Sequence, residues 1–200
     1  MAAASRSDDA DPKRDEAFRR ELVGLIPHLR AFALTLCGDP TAADDLAQDA
    51  MLKAWDARRS FEMGTNMKAW TFMILRNQFY SEKRRSWRQS QLDQEAAERT
   101  LVAVDDPEAP VALDELRQGL GMLPLEQREA LILVGAGGFA YEEAAAICDC
   151  AVGTVKSRVS RARRALQGIL ESGAYRRDGS AAGEAMASIL ADAERLSQAK

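Results

Sequence analysis

The sequence has one histidine and three cysteines in 200 residues. A closed structural zinc site takes about four ligands. Cys148 and Cys150 in "CDC" could supply two, but His28 and Cys37 lie far off and no second cysteine pair exists. The segment reads instead as small apolar residues packed near a turn, and no metal or other cofactor is expected. Three cysteines are an odd number without framework spacing, which suits a reducing compartment. With one histidine and no visible nucleophile–base arrangement, an enzyme is the least supported class. No apolar run approaches the roughly 20 residues that span a bilayer. The opening "MAAASRSDDADPKRDE" lacks the apolar centre of a signal peptide. The expectation is a cytoplasmic protein with no membrane insertion. Runs of period-2 alternation between hairpin turns are missing, so β architectures are not indicated. "VGAGG" at 134–138 follows no strand and precedes no Gly-Lys-Ser/Thr, which excludes a phosphate loop. Its glycines suit the end of one helix and the turn into the next.

Hydrophobic residues make up 46% of the chain, enough for packed cores. Charge is unevenly spread. The net charge is -4, yet residues 76–88 carry +4 and residues 156–164 carry +5, leaving -13 for the rest. Two basic islands on an acidic body suggest two contact points for a polyanion, with repulsion elsewhere. Charge alone leaves two solvated helix faces equally open.

The pattern is helical throughout. Residues 1–15 are polar and read as a flexible N-terminus. Residues 16–37 read as a helix kinked at Pro27. "GDPT" breaks it, and Thr41 with Asp44 is a capping signal for a helix over about 41–58. That helix has an apolar stripe of Leu46, Ala47, Ala50 and Ala54. "SFEMGTN" is a loop, with Asn66 as N-cap of a helix from Met67 to about Trp87. Residues 89–111, including "DDPEAP", have the composition of a linker. A second helical block covers 112–170. In the extension 171–200, residues 184–196 could form an amphipathic helix through Met186, Ile189, Leu190, Ala193 and Leu196. The fold class is therefore all-α, with two small helical domains joined by a linker.

"YEEAAAICDCAVGTVKSRVSRARRAL" has helix-turn-helix spacing. On its second helix Val155, Val159, Ala162 and Leu166 form one buried stripe. Thr154, Lys156, Ser157, Arg158 and Arg161 lie off that stripe, toward the end of a recognition helix that reaches base edges. Arg163 and Arg164 come later and suit backbone phosphate. A plain helical hairpin is the alternative on pattern alone.

In "MKAWTFMILRNQFYSEKRRSWR", Arg76, Tyr80, Lys83 or Arg84, and Trp87 share one helix face. Rings beside cations suit a single strand, since rings stack on exposed bases and cations follow the backbone. Trp70, Phe72, Leu75 and Phe79 are assigned to the core. The preceding helix carries Asp45, Asp49 and Asp56 on its polar side, with Lys53 between them. Such a face either docks a basic protein surface or is simply solvated.

Together these blocks resemble a known family. "DPTAADDLAQDAMLKAW" with "NMKAWTFMILRNQFYSEKRR" is similar to region 2 of bacterial sigma factors, and "LPLEQREALILVGAGGFAYEEAAAICDCAVGTVKSRVSRARRAL" to region 4. The short connection without a third region resembles the extracytoplasmic-function (ECF) group. "GFAYEEAAAIC" and "CAVGTVKSRVSRAR" look most like its general-stress subgroup. The resemblance covers residues 16–168.

It implies a region 2 helical bundle and a region 4 helix-turn-helix, and a promoter-specificity subunit without catalysis of its own. Asp45, Gln48 and Asp49 would dock on the clamp coiled coil of core RNA polymerase, and region 4 on its flap. The loop from Ser60 to Asn66 would hold a flipped base of the −10 element. Asn66, Arg76, Asn77, Tyr80, Lys83 and Arg84 would line and open that strand. Thr154, Lys156, Ser157, Arg158, Arg161, Arg163 and Arg164 would read the −35 element. The resemblance also implies a small helical anti-sigma protein, itself sequestered by a response regulator with a sigma-like domain. Ala140 departs from the pattern, standing where many members carry a capping Ser or Thr; the tail beyond Gly173 lies outside it.

Two other readings stay open at this point. A stand-alone helix-turn-helix regulator would bind duplex DNA without polymerase, but it has no need of the aromatic–basic helix. A sigma-like decoy would only capture an anti-sigma protein, and need keep neither basic island.

Overall fold

The computed structural model describes residues 12–90 and 111–174. Of the expected flexible N-terminus (1–15) and linker (89–111), residues 1–11 and 91–110 lie outside the described residues, as does the helix expected at 184–196; residues 12–15, 89–90 and 111 are helical, so the flanking helices run further than expected. The described residues form eight α-helices and a single 3-10 turn, with no strand among them. The all-α expectation holds.

The first expected helix divides in two. Helix α1 spans Pro12–Gly24 and α2 spans Ile26–Cys37, with Leu25 between them. Pro27 sits in the first turn of α2, where its missing N–H costs nothing, so the chain restarts there rather than kinking. Gly38 ends α2 at φ 72°, returning its N–H to the Leu34 carbonyl. Helix α3 spans Pro40–Asp56. Its cap is Asp39, whose carboxylate accepts from the Ala42 N–H at 2.8 Å. The expected Thr41–Asp44 cap does not form, because Pro40 already occupies the first turn and Asp44 is turned to Arg30. A 3-10 turn at Arg58–Ser60 leads into the loop before α4, Met67–Ser90. Asn66 caps α4 as expected, accepting from the Ala69 N–H at 3.0 Å.

The second block holds α5 (Val111–Gly121), α6 (Leu125–Gly135), α7 (Tyr141–Cys148) and α8 (Val152–Ser172). The turn from α7 to α8 passes through Asp149 at φ 50°, a left-handed conformation that Asp tolerates better than most residues. Val155, Val159 and Ala162 are buried along α8, and Leu166 packs on Gly119 of α5. Ala140 offers no side chain to cap α7. Glu143 supplies the other half of the box, accepting from the Ala140 N–H at 2.9 Å.

Two cores result. A small one gathers Phe18, Leu22, Ala54, Phe61 and Met67, with Trp55 and Trp70 against it. The larger one does not stop at a domain boundary. Leu29, Phe32, Phe72 and Leu75 from the first block join Leu133, Phe139, Ile147, Val155 and Val159 from the second. Helix α4 packs on α7, and α2 on α6. Phe139 enters from the α6–α7 loop, with its ring edge on Phe72 at 5.0 Å, and Phe72 stacks on Phe32 at 4.8 Å. The tight approach of this loop requires Gly137: a Cβ there would lie 2.6 Å from the Leu133 carbonyl oxygen and 2.9 Å from the Phe139 ring.

Candidate nucleic-acid interface

On α8, the buried valine stripe turns the opposite face outward. Lys156, Arg161, Arg163 and Arg164 are exposed on it. Thr154 and Ser157 are partly buried, and the Ser157 hydroxyl donates to the Thr154 carbonyl at 2.9 Å. Lys156 lies over the Tyr141 ring at 5.7 Å. Arg158 is different. Its guanidinium donates to Glu126 of α6 at 2.5 Å and reaches the Cys150 sulfur at 3.8 Å. The helix-turn-helix thus presents a basic surface with Arg158 held at its edge by a carboxylate.

Helix α4 carries the second basic island. Lys83, Arg84, Arg85, Trp87 and Arg88 are exposed toward its C-terminal end, Trp87 at 63%. Asn77 is also exposed. Phe72 and Leu75 are buried, as their assignment to the core requires, and Trp70 and Phe79 are partly buried. The loop before α4 is anchored at its base. Phe61 is buried, and its carbonyl accepts from Arg14 at 2.8 Å, while Ser60 and residues 62–66 are exposed.

The other residues expected on the single-strand surface meet the second block instead. Arg76 donates to the Glu129 carboxylate at 2.5 Å, and the Tyr80 hydroxyl donates to its other oxygen at 3.2 Å. The Arg76 guanidinium also lies over the Tyr80 ring at 4.5 Å. Asn66 donates to Glu143 at 2.6 Å. Lys68 donates to the Gly137 carbonyl at 2.8 Å, with its ammonium 5.1 Å from the Phe139 ring centre.

Glu129 is fully buried. Burial raises its carboxyl pKa, and the Arg76 charge and the two hydrogen bonds oppose that rise. Burial likewise pulls Arg76 down, but the Glu129 charge and hydrogen bond more than offset it, leaving the guanidinium above its usual value. Burial is also the main cause that pushes the Tyr80 hydroxyl up. Cys148 packs nearby, and burial first, then Glu129, pushes its thiol to about 12. The neighbouring Arg128 is buried too, donating to the Gly121 carbonyl at 3.3 Å while its Nε finds no partner.

The acidic face of α3 is assembled as the sequence suggests. Asp45, Gln48, Asp49 and Asp56 are exposed on one side. Leu52 lies in their midst, 63% exposed, an apolar residue that packing does not explain. Asp49 accepts from Gln78 of α4 at 3.4 Å, and Lys53 also donates to Gln78. Asp44 pairs instead with Arg30.

Glu129, Glu143, Lys68 and Phe139 escaped the reading of the sequence. Glu129 had a signal: it shares an α6 face with Leu125, Ile132 and Leu133, a charged residue on an apolar stripe. Glu143 was legible as a helix cap, but its link to Asn66 joins residues 77 positions apart.

Comparison with known proteins agrees with this architecture. Residues 24–89 match the Sigma-70 region 2 model and residues 113–166 match Sigma-70, region 4. The chain is 46% identical over 155 residues to the ECF RNA polymerase sigma factor EcfG of Rhodopseudomonas palustris, covering 78% of this chain and 86% of that protein. It is 36% identical over 135 residues to the ECF RNA polymerase sigma-E factor of Escherichia coli K12, covering 61% of this chain and 70% of the relative. Among solved structures, the sigma factor RpoE in complex with the anti-sigma factor NepR from Bartonella quintana is similar at TM-score 0.72 and 47% identity, covering 78% of this chain and 98% of that one. CnrH in complex with the cytosolic domain of CnrY shares the fold at TM-score 0.55 and 24% identity, over 80% of this chain and 94% of that one. Helix-turn-helix, aromatic–basic helix and family matches over both blocks converge, and the chain belongs to the ECF group of RNA polymerase sigma factors.

Proposed function

We propose that this chain gives core RNA polymerase its promoter choice through the residues singled out above. The α3 face of Asp45, Gln48 and Asp49, with Leu52 at its centre, docks on a basic surface of the polymerase clamp. Charge complementarity sets the encounter, and the exposed leucine supplies apolar contact. The Ser60–Asn66 loop holds a base flipped from the −10 strand. Arg76, Asn77, Tyr80, Lys83 and Arg84 line that strand. Thr154, Lys156, Ser157, Arg158 and Arg161 read the −35 duplex, with Arg163 and Arg164 on phosphate. The protein performs no catalysis itself and works in the cytoplasm. No helix among the described residues is long and apolar enough to cross a membrane. An anti-sigma protein of the kind bound to the Bartonella quintana relative regulates it.

The observation that carries this reading is the pairing of two exposed basic surfaces of different chemistry. One is a helix-turn-helix face suited to duplex; the other is an aromatic–basic helix suited to single strands. Run-off transcription with core polymerase and the upstream region of this protein's own gene tests it. Transcripts should start only when the chain is added. Tight promoter binding without polymerase, and no transcripts with it, would replace this reading by a stand-alone regulator.

A further inference from the structure

We propose that Arg14 is a positioning residue for the choice of −10 base: with Asp15 and Arg58 it braces the Ser60–Asn66 loop from helix α1. The inference rests on the base-holding role given to that loop above. Ser60 and residues 62–66 are exposed, and only Phe61 is buried. The loop has no core of its own, so its place is set at its two ends. At the α4 end Asn66 caps the helix. Within the loop the Thr65 hydroxyl donates to the Glu62 carbonyl at 2.7 Å, and Gly64 turns at φ 90°. Such a self-bonded tip moves as one piece with whatever holds its other end.

That holder is α1. Arg14 donates through Nη2 to the Phe61 carbonyl at 2.8 Å and reaches the Arg58 carbonyl at 3.5 Å. One guanidinium thus ties the start of the 3-10 turn to the residue that follows it. The Arg58 side chain is turned back into the protein. Its Nε donates to Asp15 at 3.1 Å, its Nη1 donates to the Trp55 carbonyl at 3.1 Å, and it lies over the Trp55 ring at 4.5 Å. Four positions along α1 from Arg14, Phe18 meets the Phe61 ring at 5.7 Å, and Trp70 meets it at 5.0 Å. These apolar contacts set how deep the loop is seated, but hydrophobic burial has no direction. The charged bond from Arg14 to a carbonyl supplies the direction. Both arginines direct these donors to protein carbonyls and a carboxylate and not toward a strand. Their work is therefore to aim the loop, and the loop meets the base.

The test uses holoenzyme assembled from core polymerase and the full chain, on the upstream region of this protein's own gene. The transcript start locates both promoter elements, and templates then carry single base substitutions through each. The ratio of run-off from unsubstituted and substituted templates reads discrimination. At the base held by the loop, the wild-type ratio should be about ten or more. The loop variant Glu62→Ala, Met63→Ala identifies that base as the position where discrimination is lost. Arg14→Ala should bring the ratio there to within about two-fold of unity and leave the −35 ratios unchanged. A merely destabilised chain would lose run-off on every template alike and keep its ratios. Arg14→Lys keeps a cationic donor for the Phe61 carbonyl and should hold the ratio at about five or more. Asp15→Asn changes a partly exposed carboxylate, so it folds even where Arg14→Ala does not, and it should lower the same ratio by about two-fold or more. An unchanged ratio in Arg14→Ala, or −35 ratios that fall with it, overturns the brace. Where Arg14→Ala does not fold, an unchanged ratio in Asp15→Asn overturns it. A wild-type chain that starts no transcripts removes the sigma reading, and a loop variant that discriminates like wild type removes the loop's role; either takes the brace with it. A wild type that discriminates beside an Arg14→Ala chain equal to it removes the brace alone.

Discussion

Replacing Phe139 with alanine would show whether the two blocks unfold as one body. Phe139 is 5% exposed and belongs to the core that both blocks share. Truncating a buried phenylalanine costs about 3–5 kcal/mol, transfer and cavity together. Within that figure, the edge contact on Phe72 accounts for about 0.5–1.5 kcal/mol and the Lys68 ammonium for about 0.5–1 kcal/mol. The α6–α7 loop can collapse partly into the space, so the low end, about 3 kcal/mol, is expected. For a chain of this length that lowers Tm by about 6–12 °C. Two probes report separately. All three tryptophans, Trp55, Trp70 and Trp87, lie in the first block, whereas circular dichroism sees every helix. In the wild type, fluorescence and dichroism should trace one denaturant transition. In Phe139→Ala the dichroism should begin to fall before the fluorescence. Coincident curves in the variant with a loss under about 1 kcal/mol would refute the shared core, since a cavity in a coupled interface cannot cost so little.

Four further outcomes are expected. Gly137→Ala should destabilise as much as Phe139→Ala, because its Cβ would press on a carbonyl oxygen and on the Phe139 ring; a melting curve equal to wild type would show that the loop yields freely. Asp49→Lys, and separately Leu52→Asp, should weaken binding to core polymerase by about ten-fold or more while leaving −35 duplex binding alone; unchanged pull-down of core would remove α3 from the docking role. Arg158→Ala should weaken −35 recognition by about 1–3 kcal/mol without altering core affinity, and equal losses of both would make this arginine a structural partner of Glu126. Cys148 gives an alkaline prediction. Its folded thiol titrates near 12, above its ordinary value of 9.0, so the unfolded chain loses its proton first. That share of stability is complete below about pH 9 and falls as pH rises toward 12, by at most about 4 kcal/mol. Urea midpoints of wild type and Cys148→Ala should converge over that range, and parallel pH profiles would show that the thiol does not ionise with unfolding.

Helix positions were legible because periodicity and caps are local. The valine stripe of α8, the Asn66 cap and the alanine face of α3 each repeat within a few turns, and each is found where the sequence puts it. The exposed members of both basic islands were legible for the same reason. Two local errors came from capping. Pro27 marks a first helical turn and not a kink, and the cap of α3 is Asp39, directly before Pro40, and not Thr41. The larger omission was long-range. Arg76 and Glu129 are 53 positions apart, and Asn66 and Glu143 are 77 apart. Nothing local in either member specifies the other. Charge patterning placed Arg76 and Tyr80 on a solvent-facing stripe; the fold puts that part of the stripe under α6.

That burial constrains how promoter DNA could reach Arg76. A strand cannot take the guanidinium while α6 lies over it. Doing so would leave the Glu129 carboxylate buried without its cation, and removing one partner of a buried ion pair costs about 3–5 kcal/mol. Protonation could relieve the cost, and burial already favours the neutral acid, but at neutral pH the proton must come from dilute solution. Hydration is the other relief, and it requires α6 to lift from α4. Lifting α6 also draws Phe139 from Phe72, since the α6–α7 loop is tied to α6 through the Phe139 N–H on the Leu133 carbonyl. The ionic and aromatic contacts must then break together, which makes opening a two-state event rather than a graded loosening. A graded increase in strand affinity across single, partial substitutions at Glu129, Glu143 and Phe139, with no change in the radius of gyration, would contradict that coupling.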